Sequence, residues 1–339
     1  MDPGSSVRQA VAMRTIVCGV DEAGLGPLLG PLVMGWTALR VTAPEDCPWE
    51  QLPEWVSRDP KQDKSRLIVG DSKQVFSRNP RGRSRLETTA LAAAAVTRPG
   101  LEPPASAIDF LSGPLGPERS VFEQHPWYAS APDALPLWSD RGRIELRAAA
   151  LARGLESRDW ELLDAGVRCV PAGELNECFD RTATKAEASW TYTLAILRRL
   201  FGAAQKDRLF VHVDRLGGRM RYGSILARGL PEASVVVLQE TKARSRYQLT
   251  PRESQEGGSM ELCFLEKGDR HHFVTALASC LAKYAREIAM EGFNRHFAAR
   301  QPDLAPTAGY TTDGRRWLID AEDTLRSERI DRSRLVRRK

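Results

Sequence analysis

The segment TIVCGV (15–20) is apolar and ends in two adjacent carboxylates, Asp21 and Glu22, which a glycine-rich segment follows. Apolar and β-branched residues in such a short run predict a buried strand. Burying a carboxylate is costly unless a partner compensates its charge. That partner is a basic side chain, the N-terminus of a helix or a metal ion, and this segment alone leaves the three open.

Composition sets broad limits on the function. The chain has 339 residues, 42% hydrophobic and 27% charged, which suits one large or two small globular domains. A net charge of +5 permits a polyanionic partner without requiring one. The six cysteines are scattered without a CxxC pair, which predicts reduced thiols and a cytoplasmic location. No apolar run approaches the ~18 residues of a membrane helix, so we expect no membrane association, and we expect a monomer.

Apolar runs interleaved with helical periodicity predict one α/β domain over 15–325 with a mixed sheet. The first strand and the apolar run after the glycine-rich turn predict a β-hairpin over 15–41. Residues 1–14 are predicted to be disordered, and 326–339 a basic C-terminal tail. The proline-rich segment 98–138 has little periodicity and is predicted to be a long surface excursion.

Three predicted strands end in acids: Asp21 and Glu22, then Asp214 after LFVHV, and Asp269 after MELCFLEKG. A single acid at a strand end usually caps a turn or a helix. Several acids meeting at one edge of a sheet repel each other, and divalent cations relieve that repulsion. Because the ligand set contains only oxygens, two Mg²⁺ or Mn²⁺ ions fit better than zinc.

Several motifs together resemble those of one family. The stretch DEAGLGPLLGPLV (21–33) resembles the signature of type 2 ribonucleases H (ribonuclease HII), which is usually written DEAGRGPLAGPVV. Three further segments resemble the NDSK, KGD…AAS…AK and GYPT motifs of that family: Gly70-Asp71-Ser72-Lys73, Lys267-Gly268-Asp269 with Ala278-Ser279 and Ala282-Lys283, and Gly309-Tyr310. The resemblance extends from about residue 15 to 320.

The resemblance implies a ribonuclease H-like mixed five-stranded sheet flanked by helices, with a C-terminal helical extension. It also implies an endonuclease that cuts the RNA strand of an RNA:DNA hybrid or of a ribonucleotide-containing DNA duplex. The products would carry 3′-hydroxyl and 5′-phosphate ends. The implied catalytic and metal-binding acids are Asp21, Glu22, Asp214 and Asp269, which would hold two Mg²⁺ or Mn²⁺ ions.

The resemblance also implies a substrate-binding set. Gly24 and Gly26 would let the backbone approach a ribose 2′-hydroxyl, the group that distinguishes RNA from DNA. Tyr310 would stack on the sugar beside the cleavage site. Lys73 and Lys283 would contact phosphates, which position a duplex without reading its sequence. Leu25, Ser72 and Ser279 complete the implied set.

The chain departs from the family pattern at Leu25, where the family has an arginine. A hydrogen bond to a charged group contributes roughly 1.5–3 kcal/mol, so this change affects substrate binding. Two functions therefore stay open: a metal-dependent nuclease, or a nucleic-acid-binding protein of the same fold with lost or altered nuclease activity. The presence of all four acids favours the nuclease, because a binding module gains nothing from four carboxylates that repel each other.

The second departure is the long separation between Asp214 and Asp269. Relative to the family, the extra residues form the insertion 220–262, predicted to be a β-hairpin with a basic tip, and 98–138 is a second insertion. The basic side chains of the hairpin are predicted either to contact nucleic acid or to face solvent: Lys242, Arg244, Arg246 and Arg252. Two histidines after Asp269, His271 and His272, are predicted to mark the entry to a helix.

Overall fold

A computed structural model describes residues 15–116, 119–203, 207–252 and 258–338, so the predicted disordered segment 1–14 lies outside the described residues. Within these ranges, nine strands form a seven-stranded sheet and a separate pair. They are β1 (Thr15–Ala23), β2 (Leu32–Val41), β3 (Val56–Ser57), β4 (Leu67–Ile68), β5 (Glu161–Val170), β6 (Arg208–Asp214), β7 (Ala233–Glu240), β8 (Arg244–Pro251) and β9 (Ser259–Leu265).

The large sheet has the order β5-β2-β1-β6-β9-β8-β7, and β3 pairs with β4. Strand β2 runs antiparallel to β1, which confirms the predicted hairpin over 15–41. Strands β1, β6 and β9 are parallel, with Val20 opposite Val213 and Asp214 opposite Leu265. Their carboxyl ends therefore meet at one edge of the sheet, which is called the carboxyl edge below.

Fifteen α-helices in the described residues surround the sheet. They are α1 (Pro48–Gln51), α2 (Ser72–Val75), α3 (Pro80–Val96), α4 (Ala107–Leu111), α5 (Arg119–Glu123), α6 (Pro126–Ala129), α7 (Arg141–Glu156), α8 (Ala172–Arg181), α9 (Lys185–Ala203), α10 (Gly223–Gly229), α11 (Gly268–His271), α12 (Phe273–Ala298), α13 (Thr311–Asp320), α14 (Glu322–Ser327) and α15 (Arg332–Leu335). Two 3₁₀ turns occupy Pro60–Gln62 and Pro99–Leu101. None of the described helices has both the length and the apolar composition needed to cross a bilayer.

The sheet separates two hydrophobic cores. Alternate residues of β1 point to opposite faces. Val17 joins the core formed with α3, α7 and α12, whereas Cys18 and Val20 join the core formed with α8, α9 and α10. Helices thus cover both faces, and the predicted α/β fold class is confirmed.

Helix α12 lies directly on β1 and β2. A methyl group added at Gly19 would overlap backbone atoms of Val274 and Thr275, and one added at Gly35 would overlap the carbonyl of Ala278. Glycine is therefore required at both positions, because it alone lets a helix backbone approach a strand this closely. The Thr37 hydroxyl donates a 2.8 Å hydrogen bond to the Val274 carbonyl and fixes the same contact.

The predicted strand number was too low. The sheet has seven strands instead of the five that the resemblance implies, because β7 and β8 of the insertion extend it beyond β9. Residues 244–251 had been assigned to a basic tip, but they form β8, which pairs with both β7 and β9. Buried Tyr247 and Leu249 alternate with charged or polar neighbours, and that alternation is the signal for a half-buried strand.

The segment 98–138 is not a surface excursion. It contains α4 to α6 and contributes several buried side chains to the core with α12, namely Phe110, Leu111, Phe122, Trp127 and Tyr128. The Trp127 ring lies 5.9 Å from the ring of Phe293 on α12. Aromatic burial on this scale stabilises the fold even though the prolines break its helices into short pieces.

We predict that Gly19→Ala lowers the free energy of unfolding by about 3 kcal/mol or more, because the added methyl group forces α12 away from β1. Urea denaturation followed by circular dichroism measures the change. The matched control is Gly202→Ala in α9, where an added Cβ meets open space and stability should stay the same or rise slightly. Equal stability of the two variants would contradict the close packing.

Candidate active site

The carboxyl edge brings the predicted acids together. Asp21 and Glu22 lie near the end of β1, Asp214 is the last residue of β6, and Asp269 lies in α11 immediately after β9. Because the three strands are parallel and adjacent, the chain returns to the same place each time. Asp214 and Asp269 both contribute charge that raises the pKa of Asp21, which shows that the three carboxylates share one electrostatic environment.

Neighbouring groups orient these acids. The Ser189 hydroxyl on α9 donates a 2.5 Å hydrogen bond to Glu22 Oε2. The backbone N–H of Gly268 donates a 2.9 Å hydrogen bond to Asp214 Oδ1, which ties the end of β6 to the start of α11. The N–H of Glu22 donates to Asp21 Oδ1 at 2.7 Å. Three different elements thus fix the positions of the carboxylates.

All four acids hold protons more tightly than usual. Burial is the main cause that raises the pKa of Asp21, Asp214 and Asp269, and repulsion among the acids adds to it at Asp21 and Asp269. Burial, with a contribution from the charge of Asp214, raises the pKa of Glu22 to about 7. Clustered carboxylates with raised pKa values are typical of functional sites.

The donor set fits a hard divalent cation, because the candidate ligands are carboxylate oxygens whose charges disfavour one another. Across the described ranges, no three His, Cys, Asp or Glu side chains already stand at metal-binding geometry. The acids nevertheless interact electrostatically, since the charges of Asp214 and Asp269 act on Asp21.

Ser72 and Ser279, both in the implied substrate-binding set, are buried beside the acids. Their hydroxyls are 3.0 Å apart, and Ser279 also hydrogen-bonds to Asp21. Their hydrogen bond joins α2 to α12. Because both serines are buried, they help to position Asp21 and are not on the exposed surface.

Asp71 and Arg270 belong to the site although they were not among the predicted site residues. Asp71 caps α2 by accepting a 3.0 Å hydrogen bond from the N–H of Lys73, and it forms a 3.0 Å ion pair with Arg270. Burial raises the pKa of Asp214 and Asp269, and the charge of Lys73 partly offsets this rise. Lys73 therefore lies close to the acids, as expected. The sequence signal for Asp71 was its position as a helix N-cap at the start of DSK.

The glycine-rich turn GLGPLLGP (24–31) follows the acids, and its first three residues differ in conformation and exposure. Gly24 has φ +85°, a conformation that favours glycine. Leu25 is half-buried and packs against the core of α8 to α10. Gly26 is exposed, and a Cβ there would meet no protein atom within 4 Å. Its missing side chain therefore leaves room for a ligand and serves no packing purpose.

Two buried arginines fix this turn from behind. Arg337 donates to the carbonyl of Gly30 at 2.6 and 2.8 Å and also to the carbonyl of Gly24. Arg286 donates to the carbonyls of Pro31 at 2.7 Å and Leu29 at 3.2 Å. Burial lowers the pKa of Arg337 to about 9, and the nearby charge of Arg286 contributes to this shift.

The end of the chain is therefore not a separate basic tail. Val336 forms a β-bridge with Leu29, and the side chain of Asn176 donates to the carbonyls of Ser333 and Val336 at 2.6 and 2.8 Å. Arg337 is only 2% exposed. The basic composition suggested solvation, but a guanidinium that meets several carbonyls can be buried.

Tyr310 and Lys283 lie on the other side of the turn. Gly309, the neighbour of Tyr310, accepts hydrogen bonds from the N–H groups of Leu28 and Leu29 at 2.7 and 3.0 Å. The Tyr310 side chain is 51% exposed and free to contact a ligand. Both Tyr310 and Lys283 line a cleft of about 380 Å³ together with Arg78, Arg83 and Trp138.

The histidines near the acids have structural positions. His272 ends α11 and caps α12, which confirms the predicted helix entry. Its ring stacks on that of His212 with centroids 3.6 Å apart. Burial lowers the pKa of His212 to about 3 and that of His272 to about 4, so both are neutral at physiological pH.

No protein-family model and no curated protein sequence matches the chain. Solved structures that are similar to the chain include the ribonuclease HII of Archaeoglobus fulgidus in complex with PCNA. The two sequences are 15% identical, the match covers 96% of this chain and 94% of that chain, and the TM-score is 0.41. Ribonuclease H2 from Pyrococcus horikoshii OT3 is similar at 16% identity, 94% of this chain, 92% of that chain and a TM-score of 0.41. Aquifex aeolicus RNase H3 is similar at 11% identity, 94% of this chain, 70% of that chain and a TM-score of 0.36.

The raised pKa values predict how stability depends on pH. A carboxyl group whose folded pKa exceeds its unfolded value binds its proton more tightly when folded. Stability of the metal-free protein should therefore fall as pH rises from about 4, the unfolded value, to about 7, the folded pKa of Glu22. We predict that Asp21→Asn raises the melting temperature in EDTA at pH 8 by about 2 °C or more, because it removes one repelling charge.

Melting curves between pH 5 and 8 measure this effect. Mg²⁺ should raise the melting temperature of the wild type more than that of Asp21→Asn, because a bound cation needs the carboxylate. Asp303→Asn, at an exposed position beyond the C-terminus of α12, is the matched control and should behave like the wild type. A melting temperature that Asp21→Asn leaves unchanged or lowers would show that the four acids do not repel one another.

Proposed function

We propose that the protein is a metal-dependent endonuclease that hydrolyses the RNA strand at ribonucleotides in RNA:DNA hybrids or in ribonucleotide-containing DNA duplexes. The observation that carries the proposal is the group of four acids at the carboxyl edge: burial raises the pKa of all four, and charge from other acids raises it further at Asp21, Glu22 and Asp269. Four buried acids with raised pKa values do not stabilise a fold. A site that binds cations next to a phosphodiester would explain why they are grouped.

Asp21, Glu22, Asp214 and Asp269 would hold two Mg²⁺ or Mn²⁺ ions. When bound, such ions supply an activated water and neutralise the charge that develops on the leaving 3′-oxygen, so the products carry 3′-hydroxyl and 5′-phosphate ends. Asp21 is central, because the charges of Asp214 at the end of β6 and of Asp269 in α11 both act on it. Lys73 stands beside the acids, where its charge attracts a phosphate.

The turn and Tyr310 would select the ribonucleotide. Gly24 and Gly26 place main-chain groups next to the acids, and the open space at Gly26 admits a sugar. A 2′-hydroxyl both donates and accepts hydrogen bonds, which lets backbone groups distinguish RNA from DNA. The exposed ring of Tyr310 is available to pack on that sugar.

A reducing, cytoplasmic setting forms part of the proposal. All six cysteines lie in the described residues and are free thiols, and five of them are buried. Burial and the neighbouring charge of Asp164 raise the pKa of Cys18, so this thiol stays protonated and unreactive. We also propose that the protein is a monomer.

The second candidate function is nucleic-acid binding without efficient cleavage, and Leu25 is the observation that favours it. An arginine at this place would extend charge toward a phosphate, but Leu25 packs inward against the core. The same four acids would then be a remnant whose repulsion serves no reaction. Measured turnover distinguishes the two candidates.

The direct test is cleavage of a labelled duplex with one ribonucleotide, next to an all-RNA/DNA hybrid and a pure DNA duplex, each with Mg²⁺ or Mn²⁺. We expect cleavage only where ribonucleotides are present. Asp21→Asn and Asp269→Asn should lower the rate at least 100-fold while the duplex still binds, because both changes keep shape and remove charge. Asp303→Asn is the control. Binding of the duplexes without cleavage by either metal would favour the second candidate.

Leu25→Arg tests whether the turn tolerates the charge that the resembling family carries there. We expect tighter duplex binding, by roughly 10-fold if one charged hydrogen bond forms, and faster cleavage of ribonucleotide-containing substrates. Leu25→Met keeps the apolar packing and serves as the control. Fluorescence anisotropy with a labelled hybrid measures binding. Weaker binding by Leu25→Arg at unchanged melting temperature would mean that this turn recognises its ligand without a charge.

A further inference from the structure

A second cleft, of about 370 Å³, adjoins the acids on the side of β9 and the insertion. Only Asp214 among its lining residues belongs to the predicted site; the others are Arg215, Gly217, Gly218, Met220, Lys242 and Glu266. The cleft therefore begins at a proposed metal ligand and continues outward between the β6–α10 loop and the β7–β8 turn. A ligand that occupies the acids can extend into it without leaving the protein surface.

Strand register decides which basic residues reach this cleft. Arg244 pairs with Leu265, at the carboxyl end of β9, and Glu240 pairs with Ser245. The turn that carries Lys242 thus lies at the carboxyl edge. At the other end of the same hairpin Ala233 pairs with Pro251, so Arg252 lies at the opposite edge of the sheet. The four basic residues of the insertion are therefore not equivalent.

The β7–β8 turn is held in a fixed position. Arg215 donates a hydrogen bond to the carbonyl of Lys242, which joins the two walls of the cleft. The N–H of Thr241 donates to the carbonyl of Arg244 at 3.0 Å and closes the turn. The Lys242 side chain is exposed and is paired with no carboxylate of the described residues. A fixed backbone with an exposed cation suits contact with an anion.

Arg246 and Arg244 have other roles. Arg246 forms a 2.6 Å ion pair with Glu261 across β8 and β9, so its charge is compensated. The side chain of Arg244 donates to the Gln239 amide oxygen at 3.0 Å. The expectation that the basic residues act as a group is thus too broad.

Arg221 provides a second exposed cation near the cleft. It follows Met220 in the β6–α10 loop, its side chain is 88% exposed, and its Glu240 partner is 3.8 Å away. Glu240 also accepts a 2.6 Å hydrogen bond from Tyr247, which holds this acid near the sheet. A surface ion pair this long contributes little, so Arg221 can exchange Glu240 for a phosphate.

The floor of the cleft suits a sugar–phosphate chain. Gly217 has φ +57°, and a Cβ at Gly218 would meet no atom within 4 Å, so the backbone there is open to a ligand. Met220 is 45% exposed and adds an apolar surface. Cations, open backbone and one flexible apolar side chain match the alternating phosphates and sugars of a nucleic-acid strand.

We propose that this cleft binds the phosphate backbone of the nucleic acid beyond the cleavage point, with Lys242 and Arg221 as the phosphate contacts. The proposal rests on the proposed function, because the strand enters the cleft from the acids. It assigns the β7–β8 insertion a role in lengthening the bound segment. Recognition is independent of base sequence, since only phosphates and sugars are contacted.

The test measures binding of a labelled RNA:DNA hybrid in EDTA at several salt concentrations, where no metal-dependent cleavage occurs. The double variant Lys242→Ala/Arg221→Ala should flatten the slope of log affinity against log salt by about 1 to 2, since each phosphate contact contributes about 0.9. The matched control is Arg228→Ala/Arg252→Ala: Arg228 lies near the end of α10, shortly before β7, and Arg252 directly follows β8, so neither is at the β7–β8 turn. That control should keep the wild-type slope, and circular dichroism verifies that both proteins are folded.

The outcomes separate this proposal from the proposed function. A wild-type slope in Lys242→Ala/Arg221→Ala would overturn the role of the cleft, even if the enzyme cleaves hybrids. An equal flattening in both double variants would also overturn it, because the effect would then come from net charge alone. A flattened slope in the first variant only, together with no cleavage of any duplex in Mg²⁺ or Mn²⁺, would support the cleft and reject the nuclease.

Discussion

The direct contact between α12 and the strands β1 and β2 is the constraint on which the site depends. Gly19 and Gly35 let the backbone of α12 pack directly against the sheet, and that contact fixes the position of α12 relative to β1 and β2. Ser279 then reaches Asp21 and Ser72, and Arg286 reaches the carbonyls behind the glycine-rich turn. Because one helix serves both the acids and the turn, a small shift of α12 would disturb both together.

The buried acids and the buried arginines have different surroundings. Burial raises the pKa of the acids at the carboxyl edge, and at Asp21 the charges of Asp214 and Asp269 raise it further, whereas Arg286 and Arg337 lie buried behind the turn with backbone carbonyls as partners. Carbonyl dipoles satisfy the donors of a guanidinium without neutralising its charge. The turn therefore separates the negative cluster at the carboxyl edge from two buried positive groups.

The sequence was sufficient to predict the parts that local patterns encode. Acids following apolar runs gave the carboxyl edge, and the 15–41 hairpin followed from its glycine-rich turn. It was insufficient where tertiary contacts override composition. Strand β8 carries arginines on its accessible face, so its buried Tyr247 and Leu249 were overlooked. Prolines suggested a surface loop at 98–138, although Trp127 packs on α12. The basic composition predicted that Arg337 lies in a solvated tail, because no local pattern indicates a hydrogen bond to a carbonyl as distant in sequence as that of Gly30.

The contacts of Arg337 also determine when the site can form during synthesis. Its partners at Gly30 and Gly24 precede it by 307 and 313 residues, so the turn stays without these hydrogen bonds until position 337 has left the ribosome. A nascent chain that stops soon after Asp214 lacks both this support and the helix that carries Ser279. The hydrogen bonds from Arg337 that order the turn therefore form only after the whole large sheet and α12 have been synthesised.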